Sequence, residues 1–216
     1  MRIDSVRFVA FDTETTGLDP ATGHIVEIAA VAFDWTGAET ARMAVLVNPG
    51  VTIPEEVTRI HGITDAMVCD ALRLPKALRI LELLAGRDSL TVLAAHNAAF
   101  DVDFVRSNIY RDTFDSEYPY FPPVLDTNEM AERHRIGEWN PATGRWKTNL
   151  TAALKSIGVT LEGAHRALAD VLGCKELLVA ILKQYDGGTD LSEIPGTRLR
   201  TFDDPARRSF ETRGRR

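Results

Sequence analysis

One stretch near the start of the chain decides the fold, Val6-Arg7-Phe8-Val9-Ala10-Phe11-Asp12-Thr13-Glu14-Thr15-Thr16-Gly17-Leu18. Its first part, residues 6–12, is apolar and β-branched and predicts a β-strand. Because side chains alternate along a strand, Asp12 and Glu14 should point to the same face at its end. Two neighbouring carboxylates repel each other and are stable together only when they share a proton or bind a cation. By itself such a pair can also simply begin a polar, solvated turn.

The rest of the chain supplies further strands and helices. Residues 25–33 and 41–47 predict two more strands, which form an antiparallel meander with the first. Later segments predict short buried strands alternating with helices, namely strands over 90–95 and 124–126 and helices over 54–60, 76–84, 98–110, 127–134, 149–157 and 164–185. This order predicts an α/β domain with a mixed sheet and helices on its faces.

Two segments interrupt this pattern, 114–123 and 137–148, and both predict surface excursions. The second carries Trp139, Arg145, Trp146 and Lys147. These two tryptophans can pack on each other or cover an edge of the core. Together with Arg145 and Lys147 they could also contact a nucleic-acid strand. The sequence leaves both interpretations open.

Composition narrows the class of protein. The chain has 216 residues, 44% of them hydrophobic and 26% charged, which is typical of one globular domain. A net charge of -6 argues against a protein that coats nucleic acid by bulk positive charge. Met1 to Ser5 lack a secretory signal and only two cysteines are present, so we expect a cytoplasmic protein without disulfides. No apolar run reaches the ~18 residues that would span a membrane.

The end of the chain differs in charge from the rest. We expect the domain to cover residues 1–185 and residues 186–216 to form a flexible basic tail, because no periodicity appears after Tyr185. From Pro195 onward there are seven arginines against three acids, a balance of +4, which leaves -10 for the other residues. Such a tail either anchors a phosphate-bearing substrate or partner, or is a solvated terminus without a role.

Three short motifs follow one another along the chain. The first is Phe11–Leu18, the second is His96-Asn97-Ala98-Ala99-Phe100-Asp101, and the third is His165-Arg166-Ala167-Leu168-Ala169-Asp170. A further segment, Ile60-His61-Gly62-Ile63-Thr64, lies between the first two. Together they resemble the motifs of the DnaQ-like DEDDh 3′→5′ exonucleases, and in particular the DNA polymerase III epsilon-like branch, over about residues 6–185.

The third motif has a geometric consequence. Residues five apart on a helix differ in direction by about 140°, so His165 and Asp170 cannot both point inward from the middle of a helix. His165 should therefore lie in the preceding loop or first turn, where an imidazole is free to act as a general base. A sister group of exonucleases has a tyrosine where this chain has Arg166, which favours the histidine subclass.

The resemblance implies a ribonuclease H-like fold with a mixed five-stranded sheet. It also implies that four carboxylates hold two divalent cations, and oxygen ligands favour Mg²⁺ or Mn²⁺ over zinc. The implied metal ligands are Asp12, Glu14, Asp101 and Asp170, the implied general base is His165, and the implied contacts to the terminal nucleotide are Thr13, Thr15, Leu18, His61, Asn97 and Phe100.

The implied reaction releases 5′-mononucleotides from a nucleic acid with a free 3′ end. The segment containing His61 favours DNA over RNA, and a DNA polymerase or clamp is the implied protein partner. Two rival hypotheses remain from the sequence. One is a DEDDh ribonuclease acting on RNA 3′ ends, and the other is a catalytically idle subunit that holds a polymerase. The complete set of four carboxylates and His165 argues against the idle subunit.

Overall fold

The computed structural model describes residues 1–87, 90–112, 120–161, 163 and 165–202. Six strands form the main sheet, and two more form a separate ribbon. The main strands are β1 (Arg7–Thr15), β2 (Ile25–Phe33), β3 (Glu39–Asn48), β4 (Leu72–Arg73), β5 (Thr91–Ala95) and β6 (Val124–Asp126), and the ribbon consists of β7 (Glu138–Asn140) and β8 (Arg145–Lys147). The sequence-based strand predictions are thus confirmed to within a few residues.

Seven α-helices accompany these strands in the described part of the chain. They are α1 (Glu55–His61), α2 (Asp65–Val68), α3 (Leu74–Ala85), α4 (Ala98–Asp112), α5 (Thr127–Arg133), α6 (Leu150–Ser156) and α7 (Ala167–Leu182). Each predicted helix is present, and α7 begins three residues later than expected. Among the described residues, none of the helices has the length and apolar character needed to cross a membrane.

The sheet is mixed, as predicted, with the strand order β4-β3-β2-β1-β5-β6. Strands β1, β2 and β3 are antiparallel neighbours, whereas β5 and β6 continue from β1 in parallel. The two-residue strand β4 pairs in parallel with β3 at one edge and adds a sixth strand to the five expected. The fold class is therefore confirmed, with one short additional strand.

Helices cover both faces of the sheet, which explains why every residue of β2 is buried. Alternate residues of β1 contribute to two different cores. Phe8 and Ala10 belong to the core under α7, and Val9 and Phe11 belong to the core under α3 and α4. Positions 12 and 14 continue the first series, so the acids at the end of β1 point towards α7.

The expected domain boundary at residue 185 is corrected for the described part of the last segment. Leu191 and Ile194 are buried in the core under α7, and Phe202 is buried in the core under α3 and α4. The backbone of Arg200 exchanges two hydrogen bonds with that of Val124, at 2.7 and 2.8 Å, and thereby pairs with β6. These apolar residues are spaced too irregularly to give a periodic signal. Residues 203–216, where most of the basic charge falls, lie outside the described residues.

The two predicted excursions differ in what can be described. Part of the first, 114–119, lies outside the described residues. The second contains the ribbon of β7 and β8, in which Trp139 pairs directly with Trp146. Their ring centroids lie 5.4 Å apart, so the prediction that the two tryptophans pack on each other is confirmed.

Candidate active site

The parallel strands β1, β5 and β6 end at the same side of the sheet. Predicted site residues lie at the end of β1 and just after the end of β5. Strand β1 ends with Asp12 and Glu14, and β5 leads into α4, which carries Asp101. Helix α7 packs on β1 and carries Asp170 in its first turn. The carboxyl ends of parallel strands are where ligands bind in open α/β sheets.

Three of the four predicted metal-binding carboxylates converge on one point. Oxygen atoms of Asp12, Glu14 and Asp170 all lie within 4.8 Å of one another. Within the described ranges this is the one group of three or more histidine, cysteine or acidic side chains close enough to share a cation. The donors are all carboxylate oxygens, which suits a hard divalent cation.

Asp101 approaches the same point from the other face of the sheet. Its side chain is 2% exposed, and its Oδ1 accepts hydrogen bonds from the amide and the hydroxyl of Thr13, at 3.0 and 2.8 Å. Thr13 lies between the two acids of β1, so these bonds hold Asp101 at the end of that strand. Thr13, which the resemblance placed near the terminal nucleotide, thus bonds Asp101 through both its amide and its hydroxyl.

The four carboxylates are poorly compensated by the protein itself. Burial, followed by the charges of Asp101 and Glu14, raises the pKa of Asp12 well above its ordinary value. Burial, with the nearby Asp170, raises the pKa of Glu14 to about 8. Burial also raises the pKa of Asp101 to about 7 and that of Asp170 above its ordinary range. At neutral pH these groups must retain protons or bind cations, so the residues present fit a divalent-metal site.

His165 lies immediately before α7, as its distance from Asp170 in sequence required. It is exposed and adopts a left-handed backbone conformation with φ of 66°, which is uncommon for a residue other than glycine. Its amide donates a hydrogen bond of 3.0 Å to Oδ2 of Asp170. The predicted general base and one predicted metal ligand are therefore joined by a direct contact.

Sequence reasoning missed a fifth carboxylate beside this cluster. Glu27 is 3% exposed and lies directly opposite Glu14 in the β1–β2 pairing. It accepts two hydrogen bonds from the guanidinium of Arg166, at 2.7 and 3.2 Å, and one from the amide of Ala167 at 3.1 Å. This links the first residue of α7 to the sheet. The signal in the sequence was a single acid within the otherwise apolar strand Ile25–Phe33.

The remaining predicted contacts to a terminal nucleotide fall into two groups. Leu18 is 84% exposed, and Asn97 is exposed with a φ of 69°. The amide of Asn97 donates a hydrogen bond to Asp126 at 3.1 Å. Phe100 is half-buried against Phe104, with a centroid distance of 4.6 Å. Leu18 and Asn97 therefore remain available to a ligand, and Phe100 is partly so.

His61 and Thr15 are more enclosed. His61 is 4% exposed, its Nδ1 accepts a hydrogen bond of 3.0 Å from the amide of Ile63, and burial lowers its pKa. The ring faces the backbone of Thr15. The hydroxyl of Thr15 donates to the carbonyl of Gly17 at 2.6 Å. Both side chains therefore contact the backbone at the end of β1 or in the loop that follows it.

Comparison with known proteins identifies the family of this chain. A family model described as exonuclease matches residues 9–178. The chain belongs to this exonuclease family. It is 35% identical over 182 residues to DNA polymerase III subunit epsilon of Treponema pallidum, which covers 84% of this chain and 79% of that protein. The resemblance to DnaQ-like exonucleases is therefore confirmed.

Other relatives are larger proteins. The exonuclease chain is 37% identical over 187 residues to a DNA polymerase III subunit epsilon-like protein of Rhodobacter capsulatus, covering 83% of this chain but 24% of that protein. It is 32% identical to the PolC-type DNA polymerase III of Clostridium perfringens, covering 87% of this chain and 12% of that protein. The exonuclease thus corresponds to one part of each of these polypeptides.

Solved structures agree on the fold. Exonuclease I from Methylocaldum szegediense superimposes with a TM-score of 0.70 at 22% identity, covering 87% of this chain and 43% of that chain. Exonuclease X, in complex with 5′ overhanging duplex DNA, gives a TM-score of 0.64 at 27% identity and covers 88% of this chain and 97% of that chain. These similarities confirm the ribonuclease H-like fold.

Proposed function

We propose that this exonuclease hydrolyses DNA from 3′ ends and releases 5′-mononucleotides, and that it depends on two divalent cations. The observation that carries the proposal is the convergence of Asp12, Glu14 and Asp170, with oxygens within 4.8 Å, beside an exposed His165. A half-buried acidic cluster would repel a phosphodiester unless cations compensated it, so strict metal dependence follows.

The four carboxylates Asp12, Glu14, Asp101 and Asp170 would hold the cations, Mg²⁺ or Mn²⁺. When bound, such cations activate the attacking water and stabilise the leaving 3′ oxygen. Other residues of the protein hold these carboxylates in place. Thr13 holds Asp101 through two hydrogen bonds, and the hydrogen bond from the amide of His165 holds Asp170.

His165 is the proposed general base. Its imidazole lies outside the helix and next to the carboxylate cluster, so it can accept a proton from the attacking water while the carboxylates remain engaged. The left-handed backbone of His165 supports this role, because backbone strain of this kind persists only when the surrounding contacts maintain it.

The proposed substrate is DNA in preference to RNA, and the proposed partner is a DNA polymerase or clamp, for which the enzyme would proofread. Two observations support this. The relatives with the highest similarity quoted above are named as polymerase III epsilon proteins, and exonuclease X was solved with duplex DNA. The enclosed His61 segment matches the epsilon-like motif on which the sequence-based preference for DNA rests.

A nuclease assay tests the proposal directly. Single-stranded DNA, mismatched duplex DNA and RNA, each labelled at the 5′ end, are incubated with Mg²⁺, with Mn²⁺ or with EDTA. We expect a ladder of products shortened from the 3′ end on DNA, slower cleavage of RNA, and no products in EDTA. Asp12→Ala should abolish cleavage. Activity of equal size in EDTA, or faster cleavage of RNA than of DNA, would contradict the corresponding part of the proposal.

A matched variant guards against a general folding defect. Asp34 is also an acid at the end of a strand, but it lies in the β2–β3 turn, at the opposite end of the strands from the carboxylate cluster. There it accepts hydrogen bonds from the amides of Thr36 and Ala38. Asp34→Ala should keep the rate within about twofold of wild type, because surface substitutions of this kind change stability only slightly.

A further inference from the structure

The ribbon formed by β7 and β8 begins and ends beside the candidate active site. Immediately after β8, the hydroxyl of Thr148 donates a hydrogen bond of 2.6 Å to Asn128. The amide of Asn128 donates to Oδ1 of Asp126 at 3.0 Å, and the amide of Asn97 donates to the same oxygen at 3.1 Å. The base of the ribbon is therefore connected to Asn97 through two side chains.

The tryptophan pair is close to this connection. Trp146 is two residues from Thr148, which corresponds to about 7 Å along a strand. The backbone of Thr148 also faces the imidazole of His96, the residue before Asn97. Trp139 lies opposite Trp146 in the strand pairing. The base of the ribbon therefore lies at the side of the sheet where the carboxylates converge, and the two indole rings lie one strand step beyond that base.

The ribbon exposes an unusual amount of aromatic surface. Trp139 is 51% exposed, whereas Trp146 is half-buried and tilted by 56° against it. Trp146 thus packs against one side of the Trp139 ring, and the rest of the Trp139 ring is exposed to solvent. An exposed tryptophan ring held by a neighbouring ring offers a flat apolar surface on which a nucleic-acid base can stack.

The same ribbon is locally basic. The ribbon and the neighbouring Lys155 carry three basic side chains, Arg145, Lys147 and Lys155, and one acid, Glu138. Their net charge is +2 in a protein whose net charge is -6. Glu138 interacts with Lys155 at 3.4 Å and with Lys147 at 3.9 Å. Arg145 forms no ion pair with any residue that the structure describes. Its guanidinium is available for a phosphate.

The ribbon is held in one conformation before any ligand binds. Gly137, at its start, has a φ of 140°, and a Cβ at that position would lie 2.4 Å from the carbonyl oxygen of Lys147. In the turn, the side chain of Asn140 accepts a hydrogen bond of 3.0 Å from the amide of Ala142. Gly144 completes the turn with a φ of 63°. A preformed surface loses little conformational entropy on binding.

We propose that the ribbon binds the single strand on the 5′ side of the terminal nucleotide, with a base stacked on Trp139 and phosphates paired with Arg145 and Lys147. This deepens the proposed exonuclease function and rests on it for the direction of the strand. Stacking on an aromatic ring tolerates any base, which suits an enzyme that degrades DNA of any sequence.

Substrate length separates this role from a structural one. The variant Trp139→Ala is compared with wild type on the dinucleotide dT2, which is too short to occupy both the active site and the ribbon, and on dT12. We expect KM for dT12 to rise by about 5- to 150-fold, the range for removal of one stacked base, with kcat unchanged. The kinetics on dT2 should not change. Trp139→Phe should recover most of the affinity for dT12.

The control is Leu83→Ala, because Leu83 is a 70% exposed apolar residue on α3, away from the ribbon. It should leave both substrates unaffected. For Arg145→Ala we expect the slope of log Kd against log salt to decrease by about 0.7, the value for one phosphate of a single strand that is no longer neutralised. A loss of affinity of equal size on dT2 and dT12, or no loss on either, would overturn the proposal.

Equilibrium binding distinguishes a failure of this proposal from a failure of the proposed function. Fluorescence anisotropy is measured with a 5′-labelled dT12 whose 3′ linkages are nuclease-resistant phosphorothioates. If the wild-type protein hydrolyses nothing, the proposed function has failed, but a weaker Kd for Trp139→Ala would still support the ribbon as a nucleic-acid surface. An unchanged Kd would reject it and would leave the ribbon to contacts with a protein.

Discussion

Two acidic sites in this protein have their negative charge compensated in different ways. Glu82 on α3 is 3% exposed and receives hydrogen bonds from Arg79, from Arg87 at 2.6 Å and from the amide of Tyr120 at 3.3 Å. Burial raises its pKa, but these bonds outweigh burial and lower the pKa below its ordinary value. The candidate active site has the opposite balance, because burial and mutual repulsion raise the pKa of Asp12 and its neighbours.

Glu27 stands between these two cases. It borders the carboxylate cluster, yet it has its own arginine, Arg166, which also partly offsets the rise in the pKa of Glu14. A buried carboxylate that is paired with arginine side chains can stay ionised, whereas one without such partners retains a proton or binds a cation. The carboxylate cluster, which lacks such partners, is therefore where we place the proposed cations.

The largest effect that we predict is for His165, the one proposed catalytic residue that is not a proposed cation ligand. Under the general-base role, His165→Ala should lower the rate by roughly 10²–10⁴-fold near neutral pH. Cation binding, measured by isothermal titration calorimetry with Mn²⁺, should remain. If the variant cleaves at the wild-type rate, His165 is not the base. If it loses the cations as well, His165 acts through Asp170.

A smaller effect is expected for the glutamate that borders the cluster. Glu27→Gln would leave Arg166 without its acid next to the cations and would weaken the link to the start of α7. Removing such an outer partner typically costs about 10- to 100-fold. We therefore expect kcat to fall by about that factor, with a higher Mg²⁺ concentration for half-maximal rate and little change in KM for DNA.

The matched control for this variant is Glu39→Gln. Glu39 on β3 also forms an ion pair with a residue of α7, since its carboxylate lies 2.9 Å from Nζ of Lys175. This ion pair is remote from the carboxylate cluster. Glu39→Gln should leave the Mg²⁺ requirement unchanged. Equal loss of activity in both variants would mean that Glu27 only anchors the helix.

The candidate active site and Glu82 should change the stability of the folded protein with pH in opposite directions. Carboxylates with raised pKa values stabilise the folded state while protonated, so this contribution is complete below about pH 4 and is lost as the pH rises through about 7 and 8, the values for Asp101 and Glu14. In EDTA, the Tm should therefore fall between pH 5 and pH 8.5 by at least about 3 °C, which corresponds to about 1 kcal/mol in a protein of this size. Mg²⁺ should reverse most of this loss, because it replaces the protons.

Glu82 supplies the reference for that measurement. Its lowered pKa contributes stability above about pH 4.5 that is lost as the pH falls, so Glu82→Gln should lower the Tm at pH 8 more than at pH 4. Differential scanning calorimetry across both pH values measures the two cases. A Tm of the wild type in EDTA that rises through neutral pH would contradict the proposed lack of compensation at the active site.

The smallest effect concerns the last residues. Because Phe202 is buried, a clean truncation begins after it, at residue 203. Residues 203–216 contain five arginines and three acids, a net charge of +2. Their deletion should leave kcat unchanged, raise KM for DNA by a few-fold and flatten its salt dependence by about 0.7 for each phosphate that the segment had neutralised. An unchanged KM and salt slope would assign this segment to a protein partner or to no function.

Much of the fold followed from local pattern. The apolar, β-branched run at residues 6–12, the apolar run Ile25–Phe33 and the three-four spacing of α7 each predicted an element whose type was confirmed. Strands covered on both faces must be apolar throughout, and a packed helix must be apolar along its buried face. The packing of residues 186–202 could not be predicted. Leu191, Ile194 and Phe202 each fill gaps in cores built by distant segments, and no local period records such a contact.

The sequence by itself determined the family, the mixed α/β architecture and the set of acids around which a cation site can form, because these depend on residue types, order and short-range spacing. Only the tertiary structure decided which acids meet, which are compensated and which protein groups hold them. Glu27 and Arg166 lie 139 positions apart, and Thr13 lies 88 positions from Asp101. Contacts across such separations arise when the sheet and its helices close around a common core, and that closure sets the electrostatic balance at each carboxylate.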